Sequence, residues 1–447
     1  MDPDNSKQQR YRLRVRNAAQ VVCIARHNEP HKRTVESLND VCVIENGSLI
    51  VDLNGCIAAV GAADEIDKHF ENASFDEDID ASGMTLLPGL VDAHTHAVWS
   101  GDRVHEFASK LAGATYMDIH KAGGGIGFTV RHTRESTADE LYCLLVDRLQ
   151  RMVRAGTAVV EIKSGYGLEK ETELKMLQVI TRAAQTFRDQ ITIVSTYLGA
   201  HSIPQGSTAA EATKDILERQ LPAIMKTKAD GSLQVDHIDV FLEKGVFERE
   251  HSRAILEAGQ HCGLELNFHG DELTYQGAGE LAGELGALAV SHLEHVSEAG
   301  IVAMAKRPTF AVLLPTTAYV LRISPPPARA LIAGEVPVAL GSDFNPNAHC
   351  LSMPMVMNLA CVTMKMTMSE ALVGATLNAA AALGKRTTHG SLEVGKQGDL
   401  LLLKAPRWEH LIYQLGDPPI EAVFHAGRRV FFSSSASFPC EEKKHTA

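Results

Sequence analysis

Two histidines one residue apart, His94 and His96, close the run Pro88-Gly89-Leu90-Val91-Asp92-Ala93-His94-Thr95-His96. In an extended chain, side chains two residues apart point the same way, so this pair can offer two imidazoles to one ion. A bare pair of this kind is common in loops and says little. Here it follows an apolar run, and further polar residues stand at the ends of later apolar runs: Lys163 with Tyr166, His201, Glu243, His269 with Glu272, His292 and Asp343. A single such residue is most often a packed histidine or a solvated carboxylate; so many, at separate run ends, are hard to explain by packing. His94, His96, His269 and Asp343 together make a donor set suited to one first-row transition ion, zinc or iron. An open site of this kind keeps a place for water, and the ion makes hydroxide available near neutral pH.

The neighbouring residues suggest how such a site would work. Glu272, three residues after His269, is the best general acid/base, whereas Asp271 beside it reads as a helix N-terminal residue. His292 can orient the hydroxide or stabilise an oxyanion, and His295 reads as structural. Arg103 presents a planar cationic fork suited to a carboxylate, weighed against an ion pair with Glu106. Tyr166 sits among glycines as a substrate contact or a loop anchor. His201 is a substrate contact or a satisfied loop histidine, and Lys163 is structural or paired with Glu161.

These residues need a frame that gathers run ends at one place. Eight short apolar segments serve as strands: Thr85–Val91, Ala158–Lys163, Ile191–Tyr197, Ile238–Leu242, Leu264–Phe268, Ala287–Ser291, Phe310–Leu314 and Val336–Leu340. Helix-patterned stretches such as Thr137–Ala155, Ala209–Lys226, Glu248–Cys262 and Ser297–Lys306 separate them, with a further helix over Met368–Leu383. Alternation of this kind predicts an α/β fold, a TIM-like (β/α)8 barrel with its site at the C-terminal strand ends. Before it, Arg10, Arg12, Arg14 and Arg16 alternate with Tyr11, Leu13 and Val15 at strand period, and Asn46-Gly47 and Asn54-Gly55 signal hairpins. After it, Asp399–Leu403 is a strand and Ile420–Phe432 a hairpin around Ala426-Gly427. The expected division is residues 1–83 and 385–447 as the two parts of a small β-sandwich domain, with the barrel, 84–384, inserted between them.

Composition narrows the function. The 447 residues carry a net charge of −12, which argues against nucleic acid or an anionic membrane as partner. A small anionic substrate needs only one local cation. The eight cysteines form no Cys-x-x-Cys pair, so a structural zinc pattern is absent, and scattered thiols suit a reducing compartment. No apolar run is long enough to span a bilayer, and the arginine-rich start has strand rather than targeting-helix period. The expectation is a cytoplasmic enzyme.

Seven segments resemble the amidohydrolase superfamily, a resemblance that runs along nearly the whole chain. They are Asp92-Ala93-His94-Thr95-His96, Gly101-Asp102-Arg103, Gly123-Gly124-Gly125-Ile126, Glu161-Ile162-Lys163-Ser164-Gly165-Tyr166-Gly167, Leu198-Gly199-Ala200-His201, His269-Gly270-Asp271-Glu272 and Ser342-Asp343-Phe344-Asn345-Pro346. The glycine run at 123–125 and the stretch Lys163-Ser164-Gly165-Tyr166-Gly167 narrow the resemblance to the cyclic amidases of histidine degradation. It implies hydrolysis of 4-imidazolone-5-propionate to N-formimidoyl-L-glutamate, the hydroxide attacking the ring carbonyl. It implies His94, His96, His269 and Asp343 as metal ligands and Glu272, His292 and Asp343 as the catalytic groups. Arg103 would bind the substrate carboxylate, Tyr166 and His201 would hold the substrate, and Glu272 would contact the ring. Asn345, with Asn347 and Ala348, would meet the glutamate end of the product. A homodimer is also implied. Some members bridge two ions through a carboxylated lysine at the end of strand four; here that strand ends at Glu243, and Lys244 falls one step late, so one ion is expected. The alternatives are a mononuclear deaminase of cytosine- or guanine-like rings, which would not need Arg103, and an inactive barrel used as a binding protein.

Overall fold

A computed structural model describes residues 9–26, 29–113 and 124–433. Gly123 of the glycine run and Cys440 lie outside the described residues. The chain opens with β1 (Arg10–Val22), β2 (Val43–Val51), β3 (Ile57–Ala62), β4 (Ser74–Asp80) and β5 (Thr85–Pro88). Tyr11, Leu13 and Val15 are buried on one face of β1, as the alternation requires. On the other face the arginines meet the acidic strand β4: Arg14 lies 2.5 Å from Asp78 and Arg16 lies 3.4 Å from Asp80. Asn54-Gly55 turns the chain between β2 and β3. Asn46-Gly47 does not make the expected hairpin but lies inside β2. Asn46 takes φ 48°, and the β1–β2 register slips between Val15 and Ala18, a bulge. Glycine follows because a Cβ at residue 47 would come within 2.7 Å of Val21 Cγ2.

The barrel strands follow as β6 (Leu90–Asp92), β7 (Thr157–Lys163), β8 (Thr192–Ala200), β9 (His237–Leu242), β10 (Glu265–Gly270), β11 (Ala289–His292), β12 (Phe310–Leu313) and β13 (Val338–Leu340). Each pairs in parallel with the next, with helices in the connections, which is the right condition for a sheet buried on both faces. The expected first strand, Thr85–Val91, is divided at Gly89. Its first half, β5, pairs with the chain-end sheet, and only β6 enters the barrel. Pro88 has no N–H to give a ladder. Gly89 gives its own N–H to Asp399 O at 2.9 Å, and a Cβ there would stand 2.4 Å from Ala158 Cβ.

The tail supplies β14 (Leu400–Leu403), β15 (Ile420–His425) and β16 (Arg428–Phe432). Ala426 and Gly427 form the tight turn of the last hairpin, both with positive φ (49° and 71°). The order β16-β15-β14-β5-β1-β2-β3, with β4 also on β1, joins both ends of the chain in one sheet. The expected helix over Met368–Leu383 is two helices, Met368–Gly374 and Leu377–Ala382. Ala379–Leu383 pack with Val91, Val159, Val194 and Phe310. Among the described residues, no helix is long and apolar enough to cross a membrane.

The seam between β6 and β13 closes the barrel. Asp92, fully buried at the end of β6, accepts from Ser342 N at 2.8 Å and Ser342 Oγ at 2.6 Å. The backbones then run together: Asp343 N donates to His94 O at 3.0 Å and His96 N to Phe344 O at 2.8 Å. Burial pushes the Asp92 carboxyl up to about 7, against the pull of these donors. Replacing it strands two buried donors. Asp92→Ala is therefore expected to lower stability by roughly 2–3 kcal/mol, within the range for losing charge-assisted buried bonds, and to loosen the seam. Thermal unfolding and metal analysis check this; an unchanged melting temperature with full ion content would refute it.

Candidate metal centre

The seam sets His94, His96 and Asp343 side by side, and β10 brings His269 across the mouth. His94 Nε2 lies 3.1 Å and His96 Nε2 3.2 Å from His269 Nε2. Asp343 Oδ1 lies 3.5 Å from the first and 3.4 Å from the second. The other ring nitrogens are held from behind. His269 Nδ1 is 2.9 Å from Asp239 Oδ1, which can only accept, so Nδ1 carries the proton and Nε2 is a bare lone pair. His94 Nδ1 meets Ser291 Oγ at 2.8 Å, and Thr317 Oγ1 donates to the second oxygen of Asp343. Burial depresses the His94 imidazole well below its ordinary value and brings His269 down to about 4, Asp239 pulling the other way. Burial opposes ionisation of Asp343, yet His96 and His292 hold its carboxyl below the usual range. Neutral imidazoles and an ionised carboxylate are the ligand forms a metal needs. His94 and His96 both turn Nε2 toward the bare Nε2 of His269, and Asp343 Oδ1 beside them is buried without a hydrogen-bond donor. The set fits a metal ion.

A cavity of about 420 Å³ opens over this set, lined by His96, His269 and Asp343 together with Arg103, Tyr166, His201, Glu272, His292, Asn345 and Asn347. The ring of His201 stacks on His96 at 4.7 Å, and its Nδ1 meets Gly165 O at 2.9 Å. Glu272 Oε2 faces His292 Nε2 at 3.7 Å. Burial pushes Glu272 up to about 7. Burial alone would depress His292, but Glu272 and Glu294 outweigh it and raise the imidazole to about 10. His292 and Asp343 both take left-handed backbone, at φ 79° and 47°, strain of a kind that concentrates at functional sites. Two further histidine trios, His94-His269-His292 and His96-His201-His269, also have donors close together, so His201 and His292 each bring an imidazole up to this set.

The Amidohydrolase family model matches residues 85–430. The chain belongs to the amidohydrolase family. Among relatives of this amidohydrolase, a probable imidazolonepropionase of Dictyostelium discoideum is 58% identical over 95% of this chain and 99% of that one. A probable imidazolonepropionase of Homo sapiens is 56% identical over 94% and 98%. Among solved structures, an adenosine deaminase from Xanthomonas campestris with bound zinc has a TM-score of 0.66 at 20% identity, covering 94% of this chain and 93% of that one. A triazine hydrolase variant has a TM-score of 0.70 at 13% identity, covering 93% and 94%. Those two likenesses are of fold.

The remaining residues expected at the site of this amidohydrolase divide. Arg103 is buried at the cavity wall, where Glu106 Oε2 braces its Nε and Nη2 at 2.9 and 2.7 Å. The pair is buried rather than on the surface. Asn345 lines the cavity, but its side chain holds its own loop: Oδ1 accepts from Asn347 N and Ala348 N at 2.7 and 3.0 Å, and Nδ2 donates to Asp343 O at 2.7 Å. Asn347 lines the cavity and accepts from Lys110 Nζ. Ala348 is buried behind the wall and does not line the cavity. His295 is exposed and away from the cavity, and Asp271 accepts from Gln276 N and Ala278 N at the start of the helix Ala278–Leu285. Phe241, Thr317 and Ile323 are among the further wall residues; nothing in their local sequence signals this.

Two buried carboxylates hold the loops. Glu173 accepts from Gly165 N at 3.0 Å, Gly167 N at 2.7 Å and Leu168 N at 2.8 Å, and so sets the turn that delivers Tyr166. Glu243 accepts from Leu273 N at 3.0 Å and Thr274 N at 3.2 Å beside Glu272. Glu173→Gln keeps the volume but swaps one acceptor for a donor. Its kcat/KM is expected to fall about a hundredfold, the scale of an ångström of misplacement, with ion content unchanged. Steady-state kinetics with metal analysis decide; wild-type kinetics would show that the brace is dispensable.

Proposed function

We propose that this chain is an imidazolonepropionase, hydrolysing 4-imidazolone-5-propionate to N-formimidoyl-L-glutamate. The observation that carries the reading is the buried cation Arg103 on the wall of a cavity that is also lined by His96, His269 and Asp343 of the four-donor set. Such a pocket suits a small ring that bears a carboxylate, and relatives at 54–59% identity over most of the chain carry that name. A deaminase of uncharged rings would have no use for Arg103.

His94, His96, His269 and Asp343 would hold one ion, zinc or iron. When bound, that ion supplies a Lewis acid and makes water nucleophilic at neutral pH. Arg103 binds the propionate carboxylate, with Glu106 fixing its plane. Tyr166 and His201 hold the ring against the donor set. Burial raises the Tyr166 phenol above its usual range, so it stays protonated and donates. Asp343 takes the proton of the attacking water as the new C–O bond forms at the ring carbonyl carbon, and His292, raised against burial to about 10 by Glu272 and Glu294, stabilises the developing oxyanion. Glu272, raised by burial to about 7, delivers a proton to the ring nitrogen as the C–N bond breaks. The carbonyl carbon becomes a carboxylate and the ring opens, so one water is consumed. Asn345 and Asn347 lie where the glutamate end of the product would come to rest, with Ala348 contributing from behind them through the loop backbone.

Glu272→Gln, purified with its ion in place, is expected to lose at least about a hundredfold in kcat, as for a general acid, while His269→Ala is expected to lose the ion itself. Activity on imidazolone propionate, with none on cytosine or guanine, distinguishes the reading from the deaminase alternative. Near-normal turnover by Glu272→Gln would remove that residue from the scheme. We also place the enzyme in the cytoplasm as a homodimer. Free thiols at all seven described cysteines suit a reducing compartment. Val362 and Tyr413 stay 72% and 71% exposed on adjoining helices, an apolar face for a second copy. Light scattering on a sizing column would sink the dimer by returning a monomer mass.

A further inference from the structure

Lys163 ends β7 with no surface exposed, and the reaction outlined above does not use it. Its Nζ lies 2.5 Å from Glu161 Oε1 and 2.8 Å from Asp239 Oδ2. Both carboxylates then reach the metal centre, on different sides. Asp239 Oδ1 accepts from the backbone N of His269 at 3.0 Å and from its Nδ1 at 2.9 Å. Glu161 Oε2 accepts at 3.2 Å from the backbone N of Thr95, the residue between His94 and His96, and Thr95 Oγ1 donates to Glu161 O at 2.7 Å. Thr196 Oγ1, 2.5 Å from Glu161 Oε1, holds the near end.

We propose that Lys163 is a positioning residue for the metal centre, its ammonium holding Asp239 and Glu161 as a matched pair that aims His269 from one side and the His94–His96 segment from the other. Two buried carboxylates, on β7 and β9 either side of β8, repel and turn apart unless a cation lies between them. Lysine supplies that cation as a compact charge that fits the gap. Its own repulsion of a metal ion is offset locally by the two carboxylates within 2.8 Å. What reaches the ligands is therefore orientation: a fixed Nδ1–H on His269 and a fixed backbone at Thr95. Outer partners of a ligand histidine are worth 10–100-fold in metal affinity when removed.

The proposal rests on the four-residue ligand set, and the experiment separates the two. Metal-free full-length protein is titrated with Zn²⁺ against a chromogenic chelator for wild type, His269→Ala, Lys163→Met, Asp239→Asn and the Lys163→Met/Asp239→Asn double variant. Melting of each metal-free protein serves as the folding control. Wild type is expected to bind one Zn²⁺ and His269→Ala to lose it; failure of either overturns the ligand set. Lys163→Met is expected to bind at least about tenfold more weakly. The double variant is expected to lose less than the product of the two single losses, because Lys163 acts on His269 through Asp239 and only its effect through Glu161 is left to add. Unchanged or tighter binding by Lys163→Met, or losses that multiply in the double variant, would overturn the role of Lys163 while leaving the ligand set intact. Lys163→Gln, which keeps a donor and most of the volume, is expected to recover part of the affinity and carries the same test if Lys163→Met does not fold.

Discussion

Where the first barrel strand meets the last, Asp92 reaches across to Ser342, and the backbones of residues 93–96 and 340–344 run together beyond it. Three of the four residues proposed to hold the ion sit on the two sides of this seam. Closure of the barrel and assembly of the site are thus one event: a barrel that failed to shut would leave His94 and His96 apart from Asp343. The remaining donor, His269, comes from the middle of the strand order and depends on the barrel having the right circumference. Depth matters as well. Because the donors are buried, His94 and His269 are held toward the neutral form while Asp343 stays ionised.

The site is held by carboxylates as much as by apolar packing. Glu106 braces Arg103, Glu173 gathers three backbone N–H groups under Tyr166, and Glu243 does the same beside Glu272. Each is buried, where an unpaired carboxylate would be costly and where a bond to an N–H is strong because the surroundings polarise poorly. This is how loops rich in glycine acquire a defined shape. The backbone is free to approach closely, and an acid from the next helix or strand fixes what glycine leaves loose.

Much of this arrangement was legible in the sequence, for physical reasons that differ by residue. The barrel strands announce themselves as apolar runs because both faces are buried, and the donors His94, His96, His269 and Asp343 stand at run ends. The division at Gly89 was not legible, since Thr85–Val91 is uniformly apolar and only three-dimensional pairing shows that half of it belongs to another sheet. Asn46-Gly47 has the composition of a hairpin turn and serves as a bulge, because tertiary pairing with β1 overrides a local signal. The braces are the larger omission. Glu173 and Asp239 carry no local mark of their role, and their partners lie on other strands or are backbone N–H groups, which have no letter in the sequence. Phe241, Thr317 and Ile323 line the cavity for the same reason of distance. Asn345 shows the reverse: its motif places it at the site, whereas its amide is spent on its own loop.

The sheet formed from both chain ends has a consequence for how the molecule is made. β5 lies between β1, near the start, and β14, some three hundred residues later. During synthesis β5 emerges early with one edge unpaired, and it stays so while the whole barrel is translated. An unpaired apolar edge is a template for wrong partners, and domains whose parts are distant in sequence complete late. The barrel, contiguous in sequence, can form first and keep that edge close to its own wall until Leu400–Leu403 arrive. The order of translation thereby becomes part of the folding pathway, with an early strand waiting for a late one.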